Sequence, residues 1–344
     1  MVSIADIAAA VELSTGTVSQ ILSRRDTRYS ERTRVRVQEA AKRLGYRPNA
    51  MAKALECGRS NAVGIMFADL VGSLANDILT SALPMLEAAG YHALIGVNLW
   101  SPEREEQELE TFLERRLEGI LALPLDGQQA HYQAIQQAGV PLVFMCDWLP
   151  GIPADAVALD GHAAGVTLTN HLLAQGHRRI ALISNDNQSE QLHARQAGYR
   201  AALLAAGLQP DPTLERLVDG ADPDSIKTLI LGLTCHPRPP TAIVFPVEAV
   251  AWQAMEILCD VPEARRPVVA AVGGLPMSSH RLVSLTTVNE PLAKIGRLAA
   301  ERLLARMADR QRAPRQQLLR GDLVVRASTA PKKPLAKRKG GAAA

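Results

Sequence analysis

Few residues of this 344-residue chain have the type and spacing needed to make or break bonds. The four cysteines, Cys57, Cys146, Cys235 and Cys259, form no CxxC pair and have no histidine at zinc spacing, so neither a metal site nor a disulfide framework is expected. There is no GxSxG elbow, no P-loop, no GxGxxG opening a helix and no His/Cys/Asp cluster at nucleophile spacing. Glu110 and Glu114 fall one helical turn apart, which suits a solvated charged face better than a paired acid and base. An enzyme is not expected, and no cofactor is implied. What stands out instead is a run of small or polar side chains near the start, Ser14, Thr15, Gly16, Thr17, Ser19 and Gln20, fit for hydrogen bonding and not for catalysis.

The elements that must hold this run are short helices. Ser3 followed three residues later by Asp6 reads as a capped start, and Ile4, Ile7, Ala8 and Val11 recur at helical spacing, which predicts a helix to about Val11. Ser14 caps a second helix with an apolar stripe of Val18, Ile21 and Leu22. Two short helices about three residues apart make a helix-turn-helix. Ser30 caps a third, with Val35, Val37, Ala40, Ala41 and Leu44 as its buried positions.

Charge is divided along the chain more sharply than the net +3 suggests. Residues 1 to 60 carry eleven Lys/Arg against six Asp/Glu, residues 328 to 344 carry five basic residues and no acid, and the stretch between is left at −7. A basic head, an acidic body and a basic end point to a polyanion partner for the ends only. With 47% hydrophobic and 21% charged residues the composition is globular, and the length suits two or three domains. MVSIADIAAAVEL has no basic n-region and no long apolar run, so no signal peptide or membrane span is expected and the cytoplasm is the expected compartment.

IADIAAAVELSTGTVSQILS, then YSERTRVRVQEAAKRLGYRPNAMAKALECGRS, resembles the head and hinge of the LacI/GalR family of bacterial regulators nearly position by position. The resemblance implies a sequence-specific regulator, expected to be a repressor, that binds a pseudo-palindromic double-stranded DNA operator as a homodimer. In that reading Thr15, Gly16 and Gln20 touch base edges, Ser14, Thr17 and Ser19 bond phosphates, and Tyr46, Asn49, Ala52 and Leu55 add contacts, with Leu55 as a minor-groove wedge. Gln20 departs from the usual Arg and suits adenine where Arg suits guanine. Glu12 stands where the turn normally has Gly; with φ > 0 it would cost about 1 kcal/mol.

After Asn61, continuous apolar runs (AVGIMFA, HALIGV, GILALP, PLVFMC) alternate with amphipathic stretches, and the alternation restarts at DAVALDG (RIALIS, TAIVFP, VVAAVG). This predicts two doubly wound parallel sheets facing a cleft at the strands' carboxyl ends. Strings such as GHRRIALIS and LTTVNEPLAKIGRLAAERLL extend the family resemblance. The implied fold is an all-α helix-turn-helix head at 1–47, a hinge at 48–60, a two-lobed periplasmic-binding-protein-like α/β sensor at 61–327 and a disordered basic tail at 328–344. Its first lobe would take about 61–159 and 288–318, and its second about 160–287 and 319–327.

The resemblance places Arg195 at the position that reaches a small-molecule effector. Asp147 with Trp148 and Asp160 fall at strand ends, where Asp160 serves either the cleft or the crossover. Val247-Glu248 replaces the family's sugar-binding Asn-Asp pair, and Gly273-Gly274-Leu275-Pro276 replaces its Gly-aromatic-Asp-Asp string, so effector identity does not carry over from the family: a sugar, a sugar derivative, another metabolite or no effector at all stays open. The competing reading is a small-molecule sensor with weak or lost DNA binding, against which the intact TVSQIL and hinge strings speak.

Overall fold

The computed structural model describes residues 2–22, 29–46, 60–70, 73–185, 189–218, 222–279 and 284–330. The chain divides into two units, 1–60 and 61–344. Asn49, Ala52, Leu55 and Cys57, with nearly all of the 48–60 linker, lie outside the described residues.

The first unit is three helices, α1 (Ile4–Val11), α2 (Thr15–Leu22) and α3 (Glu31–Leu44). Each start is set by a side chain. Ser3 and Asp6 exchange bonds in a capping box, the Ser14 hydroxyl accepts the Thr17 N–H (3.1 Å), and that of Ser30 accepts the Thr33 N–H (3.3 Å). Ile7, Val11, Val18, Ile21, Val37 and Ala40 close one apolar core. Val35 is exposed, contrary to its expected burial, because it lies two residues from Val37 and so on another side of α3. The turn into α2 passes through Glu12 at φ 53° and ψ 45°, in the left-handed region, where its N–H bonds back to Ala8 and Ala9 carbonyls.

The second unit holds two six-stranded sheets. The first contains β1 (Ala62–Phe67), β2 (His92–Val97), β3 (Ile120–Ala122), β4 (Leu142–Met145), β5 (Asp155–Leu159) and a late β11 (Gln316–Leu319), all parallel in the order β11-β5-β4-β3-β1-β2. Helices α4 (Ser73–Ala88) and α11 (Leu292–Ala308) cover one face; α5 (Pro102–Glu114) and α6 (Gln129–Gln137) cover the other. The second sheet contains β6 (Ile180–Asn185), β7 (Glu215–Val218), β8 (Ala242–Phe245), β9 (Val268–Gly273), β10 (Thr286–Asn289) and β12 (Asp322–Val324). Its order is β12-β10-β9-β8-β6-β7, with β12 antiparallel. Helices α7 (Gly161–Ala174) and α8 (Glu190–Ala205) lie on one face, α9 (Pro223–Cys235) and α10 (Glu248–Cys259) on the other. The chain passes between the sheets after Leu159, after Asn289 and after Leu319.

Four features were not read from the sequence. Helix α6 buries only Tyr132 and Ile135, β7 is a short edge strand with Arg216 and Leu217 exposed, α9 is apolar without a clean stripe, and β10 and β12 extend the second sheet beyond VVAAVG. The supposed tail also starts folded. Ser328 donates to the Val269 carbonyl (2.6 Å) and Thr329 is buried against Thr286 (2.7 Å) and His171 (2.9 Å). Residues 331–344 lie outside the described residues.

Helices α7 and α8 meet through Gly165 and Gly198. A Cβ on Gly165 would overlap the Arg195 carbonyl oxygen, and one on Gly198 would overlap that of His162. The pair brings the α8 backbone against α7 and thereby sets where Arg195 stands. In the first lobe the fully buried Glu105 of α5 accepts the Tyr132 hydroxyl (2.5 Å) and the Leu125 N–H (3.1 Å). Burial pushes its carboxyl up to about 7, although both bonds favour the charged form.

Two outcomes follow from these placements. Glu12→Gly relieves left-handed strain and should raise the head's unfolding transition, by about 1 kcal/mol, in calorimetry of the full chain; an unmoved transition would show that Glu12 carries no strain. For Glu105 the folded value lies above the unfolded one, so its contribution is present below about pH 4.5 and is lost as pH rises through about 7. Glu105→Gln should therefore gain on wild type by about 2 to 3 kcal/mol between about pH 5 and about pH 8 in urea unfolding. Parallel pH curves would refute the burial argument.

Candidate DNA-recognition face and ligand cleft

Helix α2 buries Val18 and Ile21 and turns Thr15, Gly16 and Gln20 outward, with Thr17 and Ser19 half-buried beside them. Ser14 and Thr17 hydroxyls share a hydrogen bond of 2.8 Å. A Cβ on Gly16 would meet nothing closer than the Ser14 hydroxyl at 3.9 Å, so packing does not require glycine there. The Gln20 carbonyl oxygen accepts the Tyr29 hydroxyl at 2.7 Å, which orients its carboxamide. Tyr29 is a residue that sequence reasoning missed; it stands nine positions from Gln20, and no helical spacing links the two. Tyr46 packs half-buried against the head's core, its N–H bonded to the Ala41 carbonyl (2.9 Å).

In the second unit the carboxyl ends of both sheets converge on a cavity of about 260 Å³. It is walled by Ala68, Leu123 and Cys146, which follow β1, β3 and β4, and by Asn185, Val247 and Gly273 at the ends of β6, β8 and β9. In each lobe this is where the strand order reverses, the place where open α/β sheets bind ligands. Asp147, Arg195, Val247 and Glu248 all line it. Two expected residues do not. Trp148 packs into the first-lobe core and only its N–H, bonded to Asp147 (2.9 Å), serves the site. Asp160 caps α7 through the Ala163 N–H (2.9 Å).

Arg195, 8% exposed, is already engaged. It donates to the Pro246 carbonyl and to Glu290, both at 2.7 Å. Glu290 lies on the strap from β10 to α11, so the pair ties the second lobe to a crossover. Asp147 reaches from the first lobe to the N-terminus of α8, where the Gln191 N–H approaches it at 3.4 Å and Ser189 bonds it. Burial pushes its carboxyl up to about 6; the bonds from Ser189, Trp148 and Gln191 and the charge of Arg195 oppose this.

Glu248 does not face the cavity as a free ligand. At the start of α10 its carboxylate accepts the N–H groups of Gly274 (2.5 Å) and Leu275 (2.8 Å) and the Ser278 hydroxyl. Burial raises its pKa while those backbone bonds lower it. A Cβ on Gly273 would overlap the carboxylate, so glycine is required for this seat. The cavity also holds Trp100, 58% exposed, which follows Leu99 with both residues at positive φ (51° and 62°) and donates its indole N–H to Asp69 (3.1 Å). It sits on the loop after β2, where no sequence motif marked it as a site residue. Among the described residues no group of His, Cys, Asp and Glu could hold a metal, and no helix is long and apolar enough to cross a membrane.

A capped helix-turn-helix with a polar outward face, together with a two-lobed body whose cavity lies at the strand ends, defines a DNA-binding regulator with a periplasmic-binding-type ligand domain. Residues 3–49 match the profile of bacterial regulatory proteins of the lacI family, and residues 169–329 match that of the periplasmic binding protein-like domain. The chain is 26% identical to the ribose operon repressor of Escherichia coli (strain K12) over 89% of this chain and 93% of that one. It is 27% identical to the transcriptional repressor CytR of the same strain, over 94% and 95%. Its fold superposes with TM-score 0.81 on the lac repressor dimer bound to operator and the anti-inducer ONPF, at 24% identity, covering 95% of this chain and 99% of that one. Its head thus carries the lacI-family signature and its body that of a periplasmic binding protein-like domain.

If Glu248 is a loop holder, Glu248→Ala strands the Gly274 and Leu275 N–H groups and should destabilise the full chain by about 2 to 4 kcal/mol in urea unfolding. Unchanged stability would return Glu248 to the role of a ligand group.

Proposed function

We propose that this protein represses transcription by binding a pseudo-palindromic operator as a homodimer, under the control of a small uncharged molecule held between its lobes. The observation that carries the DNA half is the α2 face: Thr15, Gly16 and Gln20 project together from a helix that Ser14 caps, with hydroxyls of Thr17 and Ser19 alongside for phosphates. Tyr29 bonds the Gln20 oxygen and so orients a carboxamide whose type suits adenine. Asn49, Ala52 and Leu55 of the linker would continue the interface, Leu55 as an apolar wedge in the minor groove. Two-fold symmetry follows from one such helix per subunit. The relatives named above are a ribose operon repressor and CytR, and a dimer on operator is the state of the lac repressor neighbour.

Charge in the cleft supports an uncharged effector. One arginine, matched by Glu290, stands among three carboxylates, Asp147, Glu248 and Glu290, so a phosphate or carboxylate would enter against repulsion. Trp100 offers an apolar face, and Leu123, Leu125, Leu192 and Leu292 wall the remainder.

Selection from a randomised operator pool tests the DNA reading. Wild type should enrich palindromes with adenine at one symmetric position; Gln20→Arg should move that position to guanine by roughly 1 to 3 kcal/mol, and Tyr29→Phe should weaken the adenine preference while leaving the other positions unchanged. An asymmetric half-site bound by a monomer, or an unchanged preference in Gln20→Arg, would sink it. In thermal-shift screening, neutral sugars or nucleosides should raise the body's transition where their phosphates do not.

A further inference from the structure

The cleft holds one aromatic ring and several polar groups that its own packing does not use. Trp148 and Trp252 pack against the cores of their lobes, whereas Trp100 belongs to no core cluster among the described residues and stands at the cavity. Its loop is nonetheless firmly held. Asn98, fully buried, donates its N–H to the Phe67 carbonyl (3.1 Å) and accepts the Trp100 N–H on its side chain (2.9 Å), and the Leu99 N–H bonds the Ala68 carbonyl (2.8 Å). The indole is fixed in turn by its bond to Asp69. Leu99 and Trp100 both stand at positive φ, a backbone that bulky residues adopt only where the surroundings enforce it, and such strain clusters at ligand sites.

Gln191, in the first turn of α8, is 4% exposed and lines the same cavity from the second lobe. Neither the oxygen nor the nitrogen of its carboxamide has a hydrogen-bond partner among the described residues. The same holds for the Asn185 Oδ1 at the end of β6 and for the Nε of Arg195, whose other nitrogens serve Pro246 and Glu290. Burying an amide unpaired is costly, and native structures rarely do so without a use for the group. Donors and acceptors with unspent capacity therefore collect in the second lobe. Much of the remaining wall is apolar, including Leu123, Leu125, Val272 and Leu292.

We propose that Trp100 and Gln191 select the effector: a flat, neutral ring with an amide edge, an N–H beside a C=O, whose face stacks on Trp100 and whose edge pairs with the Gln191 carboxamide. The inference rests on the reading of an uncharged effector between the lobes. A carboxamide presents a donor and an acceptor side by side in one plane, and an amide edge presents their complement. An indole face stacks offset on such a ring. A sugar fits less well, because its hydroxyls surround the molecule and each left without a partner costs affinity. Here the unspent polar groups lie in one lobe, and the first lobe offers Leu123, Leu125 and the indole.

The full chain is titrated with uracil and pyridone, which carry the edge, with N,N′-dimethyluracil, which is flat but has its N–H groups blocked, and with ribose, glucose and their phosphates. Uracil and pyridone should quench tryptophan fluorescence and raise the unfolding transition, and dimethyluracil should bind at least about tenfold more weakly than uracil. Gln191→Met, of similar length, should bring uracil down to the level of dimethyluracil. Its unfolding transition without added compound should stay level or rise, because an unpaired buried amide is removed. Trp100→Ala should weaken uracil and dimethyluracil alike, by about tenfold, and Trp100→Phe should restore most of the loss. Equal binding of uracil and its dimethyl derivative, or affinities unmoved by Gln191→Met and Trp100→Ala, would overturn the proposal. So would binding of ribose or glucose and of neither ring, an outcome that leaves the uncharged-effector reading standing. Binding of none of these compounds overturns the proposal as well, and binding of the sugar phosphates alone overturns that reading with it.

Discussion

The Arg195–Glu290 ion pair is the contact on which the body's second half depends. Both side chains are almost out of water, and a pair so placed tolerates loss of neither partner, because the survivor is left charged and buried. Three elements meet in it: α8 supplies the arginine, the loop after β8 supplies the Pro246 carbonyl, and the strap into α11 supplies the carboxylate. Gly165 and Gly198 make the pair possible by letting α8 approach α7 to backbone distance. The ligand wall of the second lobe and the crossover toward the first are thus positioned by one guanidinium, and an effector with its own carboxylate would have to compete with Glu290 for it.

The other buried carboxylates in the cleft are held chiefly by neutral N–H and O–H donors. Asp147 sits against the N-terminus of α8, and Glu248 is wrapped by the Gly274–Ser278 turn. Both have raised pKa values because burial outweighs the bonds they accept. The residues that depart from the family strings therefore do not leave a hole where a sugar's partners would stand. Val247, Gly273, Gly274 and Leu275 build an apolar wall and a self-bonded turn in place of a polar one.

In the head the decisive constraints are local. Three serines start three helices, and one left-handed residue turns the first into the second. The bond from Tyr29 to Gln20 is the exception, since it joins the start of α3's approach to the middle of α2 and orients the amide that faces outward.

The helical head, the alternation of strand and helix, the two sheets, and Asp147, Arg195, Val247 and Glu248 as cleft residues were legible in the sequence. Caps, apolar periodicity and continuous buried strands act over a few residues and are written in order along the chain. Residues whose partners are distant were not legible. Nothing near Asp160 distinguished a helix cap from a ligand group, nothing near Trp148 said that its ring would turn into the core, and Trp100 and Tyr29 became site residues only through folding. Arg195 was read from its position as a binding group; that Glu290, 95 residues later, occupies it was settled by the packing of two glycines and the return of the chain between lobes. Local sequence determined which elements form and which faces they bury. The tertiary structure alone decided which charges meet, because Coulomb and hydrogen-bond partners are chosen by distance in space and not along the chain.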